Sequence, residues 1–297
     1  MTTGSPLRRI LAFCAPLIAG NLFQQFYNLA DSILVGRLLG VNAFAAVGST
    51  GALNFLVLGF ALGICSGFAI PIAQSFGAGD IANLRGRTGQ LIWLGLFFSL
   101  ALTVLTYFAT GPLLRITNTP ANIFDDAYRY IFIVFMGSGA TILYNLASGV
   151  LRALGDSKAT LYFLLVSSIL NVVLDLAFVA GLGLGVAGAA VATVISQIAS
   201  CVIGFAYMHR KYALLRFSLR ELRLDVKTAG RILQVGAPMA IQQSIVSCGF
   251  LFLQRLVNLY GESMIASYTV ATRMENILMI PILGVQNTMA TFAGQNM

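Results

Sequence analysis

The chain has 297 residues, 58% of them hydrophobic and 9% charged, with a net charge of +8 and a mean hydropathy of +0.86. A soluble domain carries roughly a quarter charged residues, so the composition excludes one. Apolar runs of about 20 residues or more recur throughout and are continuous, which points to a polytopic helical membrane protein rather than a β-barrel of alternating strands.

Eight spans are predicted, at 11–35, 45–73, 89–110, 128–150, 160–181, 186–208, 232–258 and 265–293. The first carries a polar stripe. Asn21, Gln24, Asn28 and Asp31 step by three or four residues and share one helical face. A carboxylate near mid-bilayer costs about 3 kcal/mol, so this face is expected to meet the bundle interior or a wet cavity. The second span ends at "GAGDIANLRGR", and Trp93 near the start of the third belongs at the membrane interface. The fourth brings Tyr144 and Asn145. The fifth contains "NVVLD", which sets Asn171 and Asp175 four apart on one face, and the sixth brings Thr193 in "GVAGAAVAT".

A basic loop follows, with Arg210, Lys211, Arg216, Arg220, Arg223, Lys227 and Arg231. It reads as a cytoplasmic loop obeying the positive-inside bias, with lipid headgroups as a secondary contact and nucleic acid as no partner. With the N-terminus inside, Arg8, Arg9, Arg85, Arg87, Arg152 and Lys158 are cytoplasmic as well, and only Arg37, Arg115 and Arg129 lie in external loops. The seventh span carries Gln242, Gln243, Ser247, Gln254 and Asn258, with Arg255 near its end; the eighth carries Arg273, Glu275 and Asn276. Cys14, Cys65, Cys201 and Cys248 all fall in apolar runs without a CxxC pair, so they read as buried small hydrophobes, and the single His209 reads as a solvated residue at a helix end.

"RILAFCAP" at 9–16 returns as "RILQVGAP" at 231–238, and after one deletion Gly63 pairs with Gly284 and Gln74 with Gln295. Each repeat therefore holds six spans, related by an axis along the membrane normal. The expected division is 1–208 as a six-helix first lobe, 209–230 as a basic linker and 231–297 as the start of a second lobe. Doubling the repeat gives roughly 444 residues, so the chain is expected to be a fragment lacking four helices.

Asp31 and Asp175 are the acids in the middle of the first six spans. Together with Asn145, Asn171 and Thr193 they offer an all-oxygen donor set. Such a set suits one small hard cation such as Na⁺. Alternatively, two carboxyls in each other's field would hold a proton between them.

On "GNLFQQFYNLADSILVGRLLG", "AQSFGAGD" and "NVVLDLAFV…GVAGAAVAT" the chain resembles the multidrug and toxic compound extrusion (MATE) family of secondary transporters, especially its bacterial DinF-like branch. The resemblance implies an all-α, two-lobe, twelve-helix antiporter of the bacterial cytoplasmic membrane, its N-terminus cytoplasmic. It would work as a monomer, with no cofactor beyond the coupling H⁺ or Na⁺. Its substrates would be amphipathic, often cationic, small molecules. Asp31, Asn171 and Asp175 would bear the ion, with Asn145 and Thr193 nearby and Tyr130 at the outer end of the fourth span. Phe26, Tyr27, Tyr144, Met274 and Met279, with Gln24, Asn28 and Gln243, would line the substrate cavity. Pro16 and Pro238 would offer bending points. The seventh span lacks the glutamate of the NorM-like branch.

The rival readings are a flippase for lipid-linked oligosaccharides, which should carry basic residues at mid-depth in its cavity, and an intramembrane aspartyl protease. For the latter, "VVL" stands before Asp175 where GxGD is required. No enzymatic activity is expected.

Overall fold

The computed structural model describes residues 5–215, 224–258, 260 and 262–296. Nine α-helices run through the described residues: α1 Pro6–Leu39, α2 Val41–Gly77, α3 Ile81–Ile116, α4 Ala121–Met136, α5 Ser138–Ala153, α6 Ser157–Asp175, α7 Gly185–Lys211, α8 Val226–Asn258 and α9 Glu262–Asn296. A π-helical turn, Leu176–Gly181, continues α6, and a 3₁₀ turn, Ala213–Leu215, follows α7. Seven helices are long and apolar enough to cross a membrane. The bent pair α4 and α5 adds an eighth span. The chain is an all-helical, multi-pass membrane protein.

The eight spans fall where the sequence places them, with helix ends up to eight residues further out, but the fourth is broken. α4 and α5 meet at 45° around Gly137. A β-carbon on Gly137 would collide with the Val194 side chain of α7, so the missing side chain lets α7 press into the break. Helix-to-helix packing in lipid lacks a hydrophobic driving force between the helices and relies on close approach of small residues instead. α7 shows this: Ala189, Ala190 and Ala192 are fully buried, the first two against Val35 of α1, Val134 of α4 and their neighbours. Cys14, Cys65 and Cys201 are buried and free as expected; Cys248 is exposed on α8, where the reading of an apolar run missed which face it lay on.

Two turns at one end of the bundle are built alike. α2 ends with Asp80 N–H donating to Ser75 O (3.0 Å), Gly79 standing at φ +70. α5 ends with Asp156 N–H donating to Leu151 O (2.9 Å), Gly155 standing at φ +88. In each, the glycine takes the left-handed conformation that closes the helix, and the aspartate then caps the next one. Asp80 accepts Asn83 N–H and Asp156 accepts Ala159 N–H, at 3.0 and 3.1 Å.

Asp156 does more than cap α6. It also accepts from Lys211 Nζ at 2.7 Å, Tyr212 Oη at 2.9 Å and Tyr207 Oη at 3.0 Å. This ties the start of the predicted linker to the α5–α6 turn. The far end of that segment is tied as well, through Asp225 N–H to Gln90 Oε1 of α3 at 3.0 Å. Arg216, Arg220 and Arg223 of the basic loop lie outside the described residues.

Burial pushes the Asp156 carboxyl up, but the donors from Lys211, Ala159 N–H, Tyr212 and Tyr207 outweigh it and hold the group below the usual carboxylate range. Stability from this cluster is therefore present above the ordinary carboxylate pKa of about 4 and lost as pH falls through the lower folded value. Asp156→Asn is expected to cost about 1–2 kcal/mol near neutral pH, measured by thermal unfolding, and progressively less in strong acid. A deficit independent of pH would contradict the charge-based reading.

Candidate functional site

Three helices deliver the site. α1 carries Asp31, the end of α6 carries Asn171 and Asp175, and α7 carries Thr193. The NVVLD spacing puts Asn171 one turn before Asp175. Both are buried, at 1% exposure each, and Asp31 is at 9%. With its amide oriented to suit both neighbours, Asn171 donates to Asp175 Oδ2 at 2.7 Å and accepts Thr193 N–H at 3.1 Å. Thr193 Oγ1 turns to Ala189 O at 3.0 Å.

The Asp31 and Asp175 carboxyls are in hydrogen-bonding contact with one another. Each keeps an Oδ1 that is buried and has no hydrogen-bond partner. Tyr27, one turn before Asp31 on α1, reaches the Thr193 side chain, and Tyr130 of α4 lies in the field of both carboxyls and of Tyr27. No Lys or Arg faces the pair among the described residues. Two ionised carboxylates about 4 Å apart at an effective dielectric of 20 repel by about 4 kcal/mol. Both charges together are therefore costly here, and a single positive charge between them would remove that cost.

Two backbone features position the pair. Asp175 is the last α-helical residue before the π turn, which rotates the following residues off the α-helical register; single π turns recur at functional sites. Val35, one turn beyond Asp31, packs with Tyr130, Val134, Val179 and Val186 into an apolar cluster beside the carboxyls. Water is thus excluded on that side.

The other sequence-predicted residues divide. Tyr130 comes to the cluster, and so does Tyr27, which the sequence reading assigned to the substrate cavity; its spacing of four from Asp31 is the signal that was available. Asn145 is half-buried, and its amide turns back to Thr141 O of its own helix at 2.8 Å, so no hydrogen bond joins it to the carboxyls. Tyr144 is a buried core residue beside Ser148 and Arg152. It does not line an open cavity. Gln243 packs against Gly59 and Gly63 of α2, as an interface residue between helices. Gln24, Asn28 and Phe26 lie exposed on α1, as do Met274 and Met279 on α9. The Arg273 side chain lies outside what the structure describes.

The MatE family profile matches residues 16–177, more than half of the chain and including Asp31, Asn171 and Asp175. The chain belongs to the MatE family. It is 30% identical over 99% of its length to the probable multidrug resistance protein YpnP of Bacillus subtilis, and 31% identical over 97% to YoeA of the same organism, also a probable multidrug resistance protein. The chain spans about two thirds of the length of these relatives, 66% and 64%. A solved structure, described as the outward-facing conformation of a multidrug resistance MATE family transporter, superposes with a TM-score of 0.88 at 27% identity, over 99% of this chain and 66% of that one.

Asn171 makes two hydrogen bonds, one along α6 to Asp175 and one across to Thr193 of α7. Asn171→Leu, which keeps the volume, leaves Asp175 Oδ2 without its donor and is expected to cost about 1–3 kcal/mol by thermal unfolding. Unchanged stability would show that the amide bonds are not made.

Proposed function

We propose that this chain forms the ion-binding part of a cation-coupled antiporter. In a protein of its relatives' length, it would export amphipathic or cationic small molecules across the bacterial cytoplasmic membrane. The observation that carries this reading is the contact of two buried carboxyls on separate helices, with no basic neighbour among the described residues. Loading one positive ion removes the repulsion between α1 and α6; releasing it restores that repulsion. α1 is the element that responds. It carries Pro16, which removes a backbone hydrogen bond and offers a bend, and it is clasped between α6 and α9.

H⁺ is the favoured ion, because a proton fits between two carboxyl oxygens that already touch. Na⁺ is the second reading; it is supported by the two unpartnered Oδ1 atoms and by the oxygens of Asn171 and Thr193, but the carboxyls would have to part to admit it. The exposed faces of α1 and α9, with Gln24, Asn28, Phe26, Met274 and Met279, supply adaptable surface suited to varied apolar cations. The lack of any acidic residue in α8 supports the DinF-like branch and leaves the first lobe as the coupling site. An N-terminus on the cytoplasmic side follows from the basic loops. A flippase is not favoured: the site is acidic, and the relatives are named for multidrug resistance.

The test is an efflux assay in proteoliposomes with a protein of the relatives' length, under an imposed H⁺ or Na⁺ gradient. Asp31→Asn and Asp175→Asn are each expected to reduce gradient-driven export to the leak of empty vesicles. Export unchanged in both would refute the coupling site.

A further inference from the structure

The two ends of this bundle are packed in opposite ways. Along the seam between α2 and α8, Gly59, Gly63 and Gly67 recur every four residues and face Ser247, Ala240 and Gly236. A β-carbon at Gly67 would lie 2.5 Å from Gly236 Cα, at Gly63 2.8 Å from Ala240 Cα, and at Gly59 2.9 Å from Ser247 Oγ. The seam continues as far as Phe55 and Phe250, whose rings meet edge-on at 6.0 Å. Beyond it, the positions of Gly51 and Gly48 have open space around them.

At the other end, which carries the α2–α3 and α5–α6 turns, α9 closes onto the first helices. Gly294 approaches Ala73 so nearly that a β-carbon would stand 3.0 Å from that of Ala73, and the backbone of Gln295 rests on Gly77, where no side chain could be accommodated. Gln295 itself is 2% exposed. Its Nε2 donates to Ala153 O at 2.6 Å, in the last turn of α5, where a helix leaves its carbonyls without partners. Gly155 follows in the left-handed conformation, and a β-carbon there would lie 3.8 Å from the same amide nitrogen.

We infer that Gln295 is a latch that holds this end of the transporter shut. Its side chain supplies the donor that the end of α5 lacks, and the glycine at position 77 makes the socket deep enough for its backbone. Opening this end would require withdrawing Gln295 from Gly77 and leaving two buried polar groups to find water. The balance between closed and open forms is therefore set in part by this one amide. Gln74 occupies the same register in the first repeat, in the sequence pairing that matches it to Gln295.

The latch does not depend on the ion-coupling reading, and the two fail differently: the one as an unchanged distance, the other as unchanged transport. Spin labels at Ala78→Cys and Asn296→Cys, both exposed, in a Cys248→Ser background and reconstituted in liposomes, report the separation of α2 and α9 through dipolar broadening. Gln295→Met keeps the volume and removes the donor. It is expected to raise the ratio of unbroadened to broadened spectra about five-fold, the shift carried by one buried hydrogen bond. Gly77→Ala is expected to act in the same direction. Spectra identical to the parent in a monodisperse Gln295→Met protein would overturn the proposal.

Discussion

The contact between Asp31 and Asp175 is the constraint around which the described structure is arranged. Two acids are buried in an apolar lobe with no protein cation facing them among the described residues, and burying like charges together is costly unless something neutralises one of them. Everything nearby serves to keep them together. Asn171 orients Asp175 along α6, Thr193 orients Asn171, and the small residues of α7 let that helix approach closely enough for the Thr193 bond to form. The cost of burying the pair is offset elsewhere, in the packing of the lobe.

This packing follows the rules of lipid rather than those of water. Glycine and alanine do what leucine does in a soluble core: they bring backbones together. The row of glycines at 59, 63 and 67 holds α2 against α8, and the alanines of α7 pack it against α1, α4 and the π turn after α6. Polar anchors gather instead at the turns, where Asp80 and Asp156 close one helix and open the next, and where Asp156 collects Tyr207, Lys211 and Tyr212. The Asp31–Asp175 pair and the Gln295 contact with Ala153 lie at different levels of the same bundle.

The spans and the core of the site were legible because they depend on composition and short spacing. An aspartate in an apolar run and an Asn–Asp pair four residues apart already say that a buried polar face exists. The residues misplaced by the sequence are those whose direction depends on how a helix is rotated. Asn145 and Tyr144 are adjacent on one helix, yet neither reaches the carboxyls; one bonds its own backbone and the other enters the core. Gln243 reads as a cavity amide until the glycines of α2 are brought against it. The break at Gly137 was hidden because a glycine in an apolar run is unremarkable without Val194, which presses into it from 57 residues away in sequence. Tyr27 was the available signal that went unused, one turn from Asp31 on the same face.

The most direct measurement of the shared ion is infrared difference spectroscopy of buried carboxyl groups across a pH titration, comparing the parent with Asp31→Asn and Asp175→Asn. If the two acids form one site, a single protonated-carboxyl band should be present, and either substitution alone should displace it. Two separate bands, each abolished by one substitution and left untouched by the other, would show two independent acids and contradict the shared site.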